Sequence, residues 1–194
     1  MSIIATSTGS PKQFKLAPAG NHIARVSRII HIGTVPEVYN GEDKMMNKVL
    51  IGFELPTELE VFKEEKGKEP FVVSREYTLS MNEKANLRKL VEGILGVALS
   101  DEEAEHFDVT SLSGKVCLLN VVHKTSQVSK NEYAIIQGAA PLPKGMTAPD
   151  AVNKPLVVDY DTLMPDDFNN LPDYIKEKMK VSVEYKKWQI TPTF

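Results

Sequence analysis

The stretch PFVVSREYTLSMNEKANLRKLVEGILG, residues 70–96, changes from a strand pattern to a helical one. Its first part, residues 70–80, is rich in β-branched and aromatic residues and predicts a strand. In residues 82–96 the apolar side chains recur at helical spacing: Leu87, Leu90, Val91, Ile94 and Leu95. Asn82 is a candidate N-cap, and Gly96 is a candidate helix-ending glycine. The chain therefore passes here from a sheet into a helix.

Two strand candidates precede this point and two follow it. They are residues 20–35 and 46–54 before it, and residues 115–124 and 132–139 after it. Residues 46–80 predict a long hairpin with an irregular, exposed end. Ser100 and Glu103 predict a capping box that begins a second, shorter helix.

Three strands, a helical insert and two strands are the element order of the OB-fold. We therefore expect a mainly β fold, a five-stranded OB-like barrel with a helical insert between strands 3 and 4. We also expect a C-terminal extension that contains an amphipathic helix. An α+β sheet domain shares this order and remains an alternative.

Composition divides the chain into three segments. They are a flexible N-terminal segment (1–19), an OB-like domain (20–145), and an acidic linker with a C-terminal helix (146–194). Between Asp150 and Asp173 there are six acids and one base, a net charge of −5. Residues 171–188 follow with an amphipathic helical pattern, and Pro172 suits its first turn. We expect residues 20–145 to fold without the extension.

Overall composition narrows the class of protein. The 194 residues carry 23 basic and 26 acidic side chains, a net charge of −3 and a pI of about 5.9. This excludes a protein held to nucleic acid by bulk positive charge, but it allows a local basic groove. The single cysteine, Cys117, excludes an internal disulfide framework and fits a reducing compartment. No apolar run approaches the ~20 residues that span a bilayer. We therefore expect a cytoplasmic protein with no membrane partner.

Catalytic and metal-binding motifs are absent from the sequence. The tripeptide 113–115, SGK, resembles the end of a P-loop, but Val109 stands where that motif needs glycine. The four histidines show no metal-ligand spacing. Cys117 lies in an apolar strand, where a structural thiol is the commoner role. We therefore expect a protein that is not an enzyme, with no catalytic residue, metal or cofactor.

Basic and aromatic residues occur together on the predicted strands, which is the mixture that a single-strand binder needs. Cations follow the phosphates, and rings stack on bases at about 1–3 kcal/mol per base. The candidate nucleic-acid-binding residues are Arg25, Arg28, Lys48, Phe53, Arg75, Tyr77, His123, Lys124, Lys130 and Tyr133. Arg25 and Arg28 have opposite parity, so at most one of them faces the groove unless a bulge intervenes. Phe53 also suits a core position, whereas Tyr77 shares its parity with Arg75, which favours a polar face.

The C-terminal extension has two interpretations. It is either a solubilising tail, or a segment that competes with nucleic acid for the basic groove or recruits replication and recombination proteins. Trp188 and Phe194, both apolar and near the end, are the candidate partner-binding residues. Only the terminal Phe matches the acidic tip of bacterial single-strand binding proteins.

Several stretches resemble a family of small bacteriophage and prophage proteins. They are SREYTLS (74–80), NEKANLRK (82–89), GKVCLLNVVHK (114–124), PLPKG (141–145) and LPDYIKEK (171–178), and the resemblance covers about residues 15–185. It implies an OB-fold that binds single-stranded DNA and a role beside replication or recombination genes.

The expected function is therefore a phage protein of the host cytoplasm that protects and presents single-stranded DNA. The alternative is a non-enzymatic phage structural or interaction module, such as an assembly factor or a host-factor binder. An enzyme or nuclease accessory would need a metal site, and the acids of 101–108 are the first place to look for one. A homo-oligomer is left open.

Overall fold

The structure, a computed structural model, describes residues 15–190. Its strands are β1 (Gly20–Tyr39), β2 (Glu42–Lys63), β3 (Gly67–Thr78), β4 (Val116–Thr125), β5 (Glu132–Ala140) and β6 (Leu156–Val158). Its α-helices are α1 (Asn86–Leu95), α2 (Asp101–Glu105), α3 (Pro165–Asn169), α4 (Asp173–Lys180) and α5 (Val183–Ile190). Short 3₁₀ turns lie at Glu64–Lys66 and Val109–Leu112.

The five long strands form one antiparallel sheet, curled into a half-barrel, in the order β3-β2-β1-β4-β5. The short β6 runs parallel to β1 at Arg28–Ile30, beyond the residues that pair with β4. Two helices, α1 and α2, lie between β3 and β4 in the chain. The expectation of a mainly β fold, with five main strands and helices between the third and fourth, is confirmed.

The first two strands are longer than predicted and form a hairpin. Asn40 and Gly41 both have positive φ, 53° and 80°, so two residues are enough to join β1 to β2. The residues between the two predicted strands, 36–45, are therefore mostly strand, with a tight turn at residues 40–41. Both strands continue into it, and β1 and β2 remain paired as far as Tyr39 and Glu42.

The inner, concave face of the sheet holds the larger hydrophobic core. Val26, Ile51 and Leu119 are fully buried there and belong to one cluster with Val91 of α1. Gly93 allows α1 to approach β5 closely, since a Cβ at this position would lie 2.3 Å from the carbonyl oxygen of Ala139. The insert thus covers the inner face.

The ends of α1 and α2 differ in how well the sequence predicts them. The helix-ending role of Gly96 is confirmed, because it has φ of 72° and its N–H donates to the Glu92 carbonyl. The capping box of Ser100 and Glu103 is also confirmed. Asn82 as the N-cap is wrong: α1 begins at Asn86, because the carbonyl of Asn82 accepts the N–H of Ala85 in a preceding turn.

The outer, convex face of β1 and β2 carries a second hydrophobic cluster. Ile30, Ile32, Val35 and Leu50 are buried there because the C-terminal segment packs on them. That segment contributes Val158, Leu163, Phe168, Leu171, Ile175, Met179 and Tyr185. The stretch expected to be a linker is therefore a packed part of the fold, and one strand and one helix lie within it.

The predicted helix over residues 171–188 is two helices, α4 and α5, separated at Val181 and Ser182. The hydroxyl of Ser182 accepts the N–H of Tyr185 at 3.0 Å and so acts as an N-cap for α5. This break lets α5 turn back onto β1, where Tyr185 joins the outer cluster.

Glu54 fastens the beginning of the C-terminal segment to β2. Its fully buried carboxylate accepts hydrogen bonds from the N–H groups of Val152 and Asn153, at 2.8 and 2.9 Å, and from the Asn153 side-chain amide. Hydrogen bonds to a charged acceptor are the stronger kind, so a buried carboxylate with three donors is a strong tether.

Glu184 fastens the end of the segment to β1. Its two oxygens accept the N–H and the hydroxyl of Thr34, at 2.6 and 2.7 Å. Burial raises the pKa of this carboxyl, but the hydrogen bonds from Thr34 outweigh burial and leave the pKa below its ordinary value. Gly33 has φ of 94°, and a Cβ there would lie 2.7 Å from Glu184, so α5 docks where the chain has no side chain.

Candidate nucleic-acid interface

The turn between β4 and β5 presents two lysines. Lys124 ends β4, and Lys130 lies in the turn with φ of 59°, where its N–H donates to the carbonyl of Ser126. Both side chains are exposed, and neither makes an ion pair or hydrogen bond with any part of residues 15–190. Their positive charge is therefore available to a ligand.

Tyr133 stands beside these lysines. It is directly opposite Lys124 in the β4–β5 ladder, and 43% of it is exposed. Cross-strand partners lie within contact distance of each other. The turn therefore combines a free cation and an exposed ring.

A groove opens between the free edges of β3 and β5, and we call it the seam groove. Its volume is about 300 Å³, and it is lined by Lys15, Leu16, Ala17, Phe62, Phe71, Val72, Val73, Ser74, Tyr133 and Ala134. Phe62 is 44% exposed and packs edge-on against the buried ring of Phe71, with 5.0 Å between ring centroids. The groove is thus lined by two exposed aromatic rings from different strands, Phe62 of β2 and Tyr133 of β5.

Lys15 borders the same groove but does not add a free charge. Its ammonium lies 2.9 Å from a carboxylate oxygen of Glu60. The hydrogen bond from Lys15 lowers the pKa of Glu60, which therefore stays ionised. Lys15 is therefore already paired and is not free for a phosphate.

Arg75 and Tyr77 lie on the inner face rather than on a polar one. The parity that they share is also that of Phe71 and Val73, which belong to the core. Arg75 reaches the seam, where its guanidinium donates to the carbonyl of Ile136 at 2.8 Å. Burial raises the pKa of Tyr77 to about 12, and the buried ring offers no face to a base.

Arg25 and Arg28 both occupy the outer face, because a bulge between Val26 and Arg28 shifts the register of β1. Arg25 donates to the carbonyls of Gly114 and Pro149, at 3.0 and 2.8 Å. It holds the start of the C-terminal segment and is not free for a phosphate. Arg28 lies half-buried beside Gly52.

Three further candidates are engaged within the fold. Phe53 is fully buried in the inner core. Lys48 has little exposed surface and pairs with Glu37 at 2.6 Å. The Nε2 of His123 donates to the carbonyl of Ala17 at 2.8 Å, which holds the chain before β1 against β4. The structure therefore groups Lys124, Lys130 and Tyr133, with His123 adjoining, and separates them from the other candidates.

The two candidate partner-binding residues of the C-terminal extension are Trp188 and Phe194. Trp188 packs against Phe168 and Tyr185, and its indole N–H donates to the carbonyl of Leu163 at 3.0 Å. This half-buried ring fixes α5 in the outer cluster and does not project toward a partner. Phe194 lies outside the described residues.

Two residues that line the seam groove were not among the candidates from the sequence. Phe62 falls in the predicted irregular end of a hairpin, where an aromatic residue directly before the charged residues 63–66 was the available signal. Lys15 lies in the segment expected to be flexible, and nothing local indicates its contact with Glu60, which is 45 positions away in the chain.

The next observations on residues 15–190 concern metal binding, the reactivity of the cysteine, and membrane-spanning helices. They contain no group of three or more His, Cys, Asp or Glu side chains placed to hold a metal ion. Burial raises the pKa of the Cys117 thiol to about 12, so it carries almost no thiolate at neutral pH. No helix in this part of the chain has the length and apolar character to cross a membrane.

No protein-family model matches the chain, and no curated protein matches it significantly. The function is therefore argued from the geometry of the site.

Proposed function

We propose that this protein binds single-stranded DNA across the seam groove and the β4–β5 turn. The observation that carries the proposal is the cluster of Lys124, Lys130 and Tyr133 at the rim of a groove lined by aromatic rings. The two free ammonium groups suit phosphates, and the exposed rings of Tyr133 and Phe62 suit bases. A ring stacks on any base, so the expected binding has little sequence preference.

The order of the strands supports the proposal. The order β3-β2-β1-β4-β5, with helices between β3 and β4, suits an OB-like barrel that closes between β3 and β5. Arg75 bridges these two strands through its bond to Ile136. In OB-folds the loop between strands 4 and 5 is one of the elements that bind oligonucleotides.

The C-terminal segment covers the outer face of the sheet, which supports the β3–β5 seam as the binding site. The C-terminal segment occupies the outside of β1 and β2, and its carbonyl at Pro149 already binds Arg25. A DNA strand that followed β1 would have to displace a buried hydrophobic cluster. We infer that it instead crosses the β3–β5 seam, which the segment leaves open. Together with the resemblance to phage proteins, this suggests a phage accessory protein that protects and presents single-stranded DNA in replication or recombination.

Charge reversal at the turn tests the proposal. We expect Lys124→Glu with Lys130→Glu to weaken binding of a fluorescein-labelled dT oligonucleotide by at least about tenfold at low salt, measured by fluorescence anisotropy. Each phosphate contact that is lost should also make the dependence of log affinity on log salt shallower by about 0.7. Duplex DNA should compete poorly, because its bases are not free to stack.

The matched control is Lys84→Glu with Lys89→Glu, which makes the same change in net charge at two exposed lysines, one just before α1 and one within it. It should leave binding nearly unchanged. Tyr133→Leu should reduce affinity without changing the salt dependence. If the wild-type chain fails to bind at tens of micromolar protein, or if both double variants bind equally, the proposal is wrong.

A further inference from the structure

A second cavity within residues 15–190 lies away from the seam groove, between the inner face of the sheet, α2 and β6. We call it the mouth cavity, and its volume is about 810 Å³. Ile29 and Val49 form its floor on the inner face of the sheet. Phe107 and Val109, which follow α2, form one wall, and Val158 of β6 contributes to the other. Ligand sites commonly have volumes of about 300–1,000 Å³ and are found in the mouths of β-barrels.

Carboxylates surround this apolar floor. The lining acids are Glu83, Asp101, Glu105, Asp108 and Asp159. The single lining arginine, Arg88, does not balance them, because its guanidinium already binds Asp101 at 2.9 Å and Glu92 at 3.1 Å. It also donates to the carbonyls of Leu99 and Met81. The cavity therefore has a negative rim.

Two of these acids are free to accept a ligand. Asp108 is engaged, since it accepts the N–H and the hydroxyl of Thr110, and Asp159 accepts the N–H of Asp161. Glu83 and Glu105 make no hydrogen bond or ion pair with any described residue. They approach the cavity from different elements, the turn before α1 and the end of α2.

We propose that the mouth cavity binds a lysine side chain on a basic segment of a partner protein. An aliphatic stem with an ammonium head matches an apolar floor beneath a rim of carboxylates. The same negative rim repels phosphates, so this cavity is not part of the DNA site. A partner docked here would leave the seam groove open, and the inference does not depend on the proposed function.

Calorimetric titration of the full chain with a blocked tetralysine peptide tests the inference. We expect one peptide per chain and an affinity that falls by about tenfold or more in Glu83→Gln with Glu105→Gln, because two charge-assisted hydrogen bonds are lost. The isosteric substitutions keep the size of both side chains. Thermal melting of each variant checks that the fold is kept.

The control is Glu102→Gln with Glu64→Gln, which removes two exposed charges that do not line the cavity. It should bind the peptide like the wild type, and a dT oligonucleotide should not displace the peptide. An equal loss in both double variants would mean non-specific attraction and overturn the inference. Failure of the peptide to bind the wild-type chain would also overturn it. Spermidine that binds as tightly as the peptide would assign the cavity to a polyamine instead of a protein segment.

Discussion

The two faces of the half-barrel are covered in different ways. The inner face is covered by α1, which follows β3 closely in the chain and makes a backbone-to-backbone approach at Gly93. The outer face is covered by a distant, acidic segment, held by the carboxylates of Glu54 and Glu184. The difference teaches that a segment with an acidic composition can still be structural, because a few well-spaced apolar anchors are enough to bury it.

The largest expected effect comes from removing the outer cover. A chain that ends at residue 145 exposes Ile30, Ile32, Val35 and Leu50. Burial of each such side chain contributes about 1.5–3 kcal/mol, so the sum is comparable with a whole domain's stability of about 5–15 kcal/mol. We expect the shortened chain to unfold or precipitate on expression.

Size-exclusion chromatography and circular dichroism of the shortened chain measure this effect. A soluble monomer that melts cooperatively at the temperature of the full chain would show that the inner core is self-sufficient. In that case the C-terminal segment would be an appendage, as the sequence interpretation has it.

A smaller effect is expected when a single methyl group is added between α1 and β5. Gly93→Ala places a Cβ against the backbone carbonyl of Ala139, which cannot move without shifting β5. Overpacking of this kind costs about 1–3 kcal/mol, and urea unfolding should show a loss in that range. Gly138→Ala on β5 is the control, since its Cβ would meet nothing within 4 Å. Equal stability of the two variants would mean that α1 does not approach β5 as closely as described.

The smallest effect is expected when the carboxylate of Glu184, which binds Thr34, loses its charge. Because the pKa of Glu184 is lowered in the folded protein, its contribution is complete above the unfolded value of about 4.3 and is lost as pH falls below it. We expect Glu184→Gln to cost about 1 kcal/mol at pH 7. The difference from wild type should shrink as the solution is acidified, when measured by urea unfolding at several pH values. A difference that is independent of pH would contradict a role for the ionised carboxylate.

Local patterns allow much of the inner half of the molecule to be predicted. The period change in residues 70–96 predicts strand and helix, and Gly96 and Ser100 end and begin helices as expected. Asn-Gly is a strong sequence indication of a two-residue hairpin turn, so the turn at Asn40-Gly41 was also predictable. The outer cluster is harder to predict, because it joins β1 to residues more than 120 positions away.

The candidate site also has a part that local sequence patterns predict and a part that they do not. Lys124, Lys130 and Tyr133 belong to one hairpin, so the local pattern is enough to bring them together. For Tyr77, the charge of Arg75 suggested a polar face. A long arginine side chain can lie along a core face and still bring its charged end to the edge, which makes parity a weak guide.

Strand β1 pairs with three other strands, and this determines the order in which the sheet can form. β1 pairs with β2 next to it, with β4 at residues 116–121, and with β6 at residues 156–158. During synthesis at about 5–20 residues per second, β1 therefore waits on the order of ten seconds before the chain that covers its outer face has been made. Contacts of such long range also slow folding, because a large loop must close before they form. We therefore expect the apolar outer face of β1 to need protection from aggregation until the residues that cover it, which follow it in the chain, have been made.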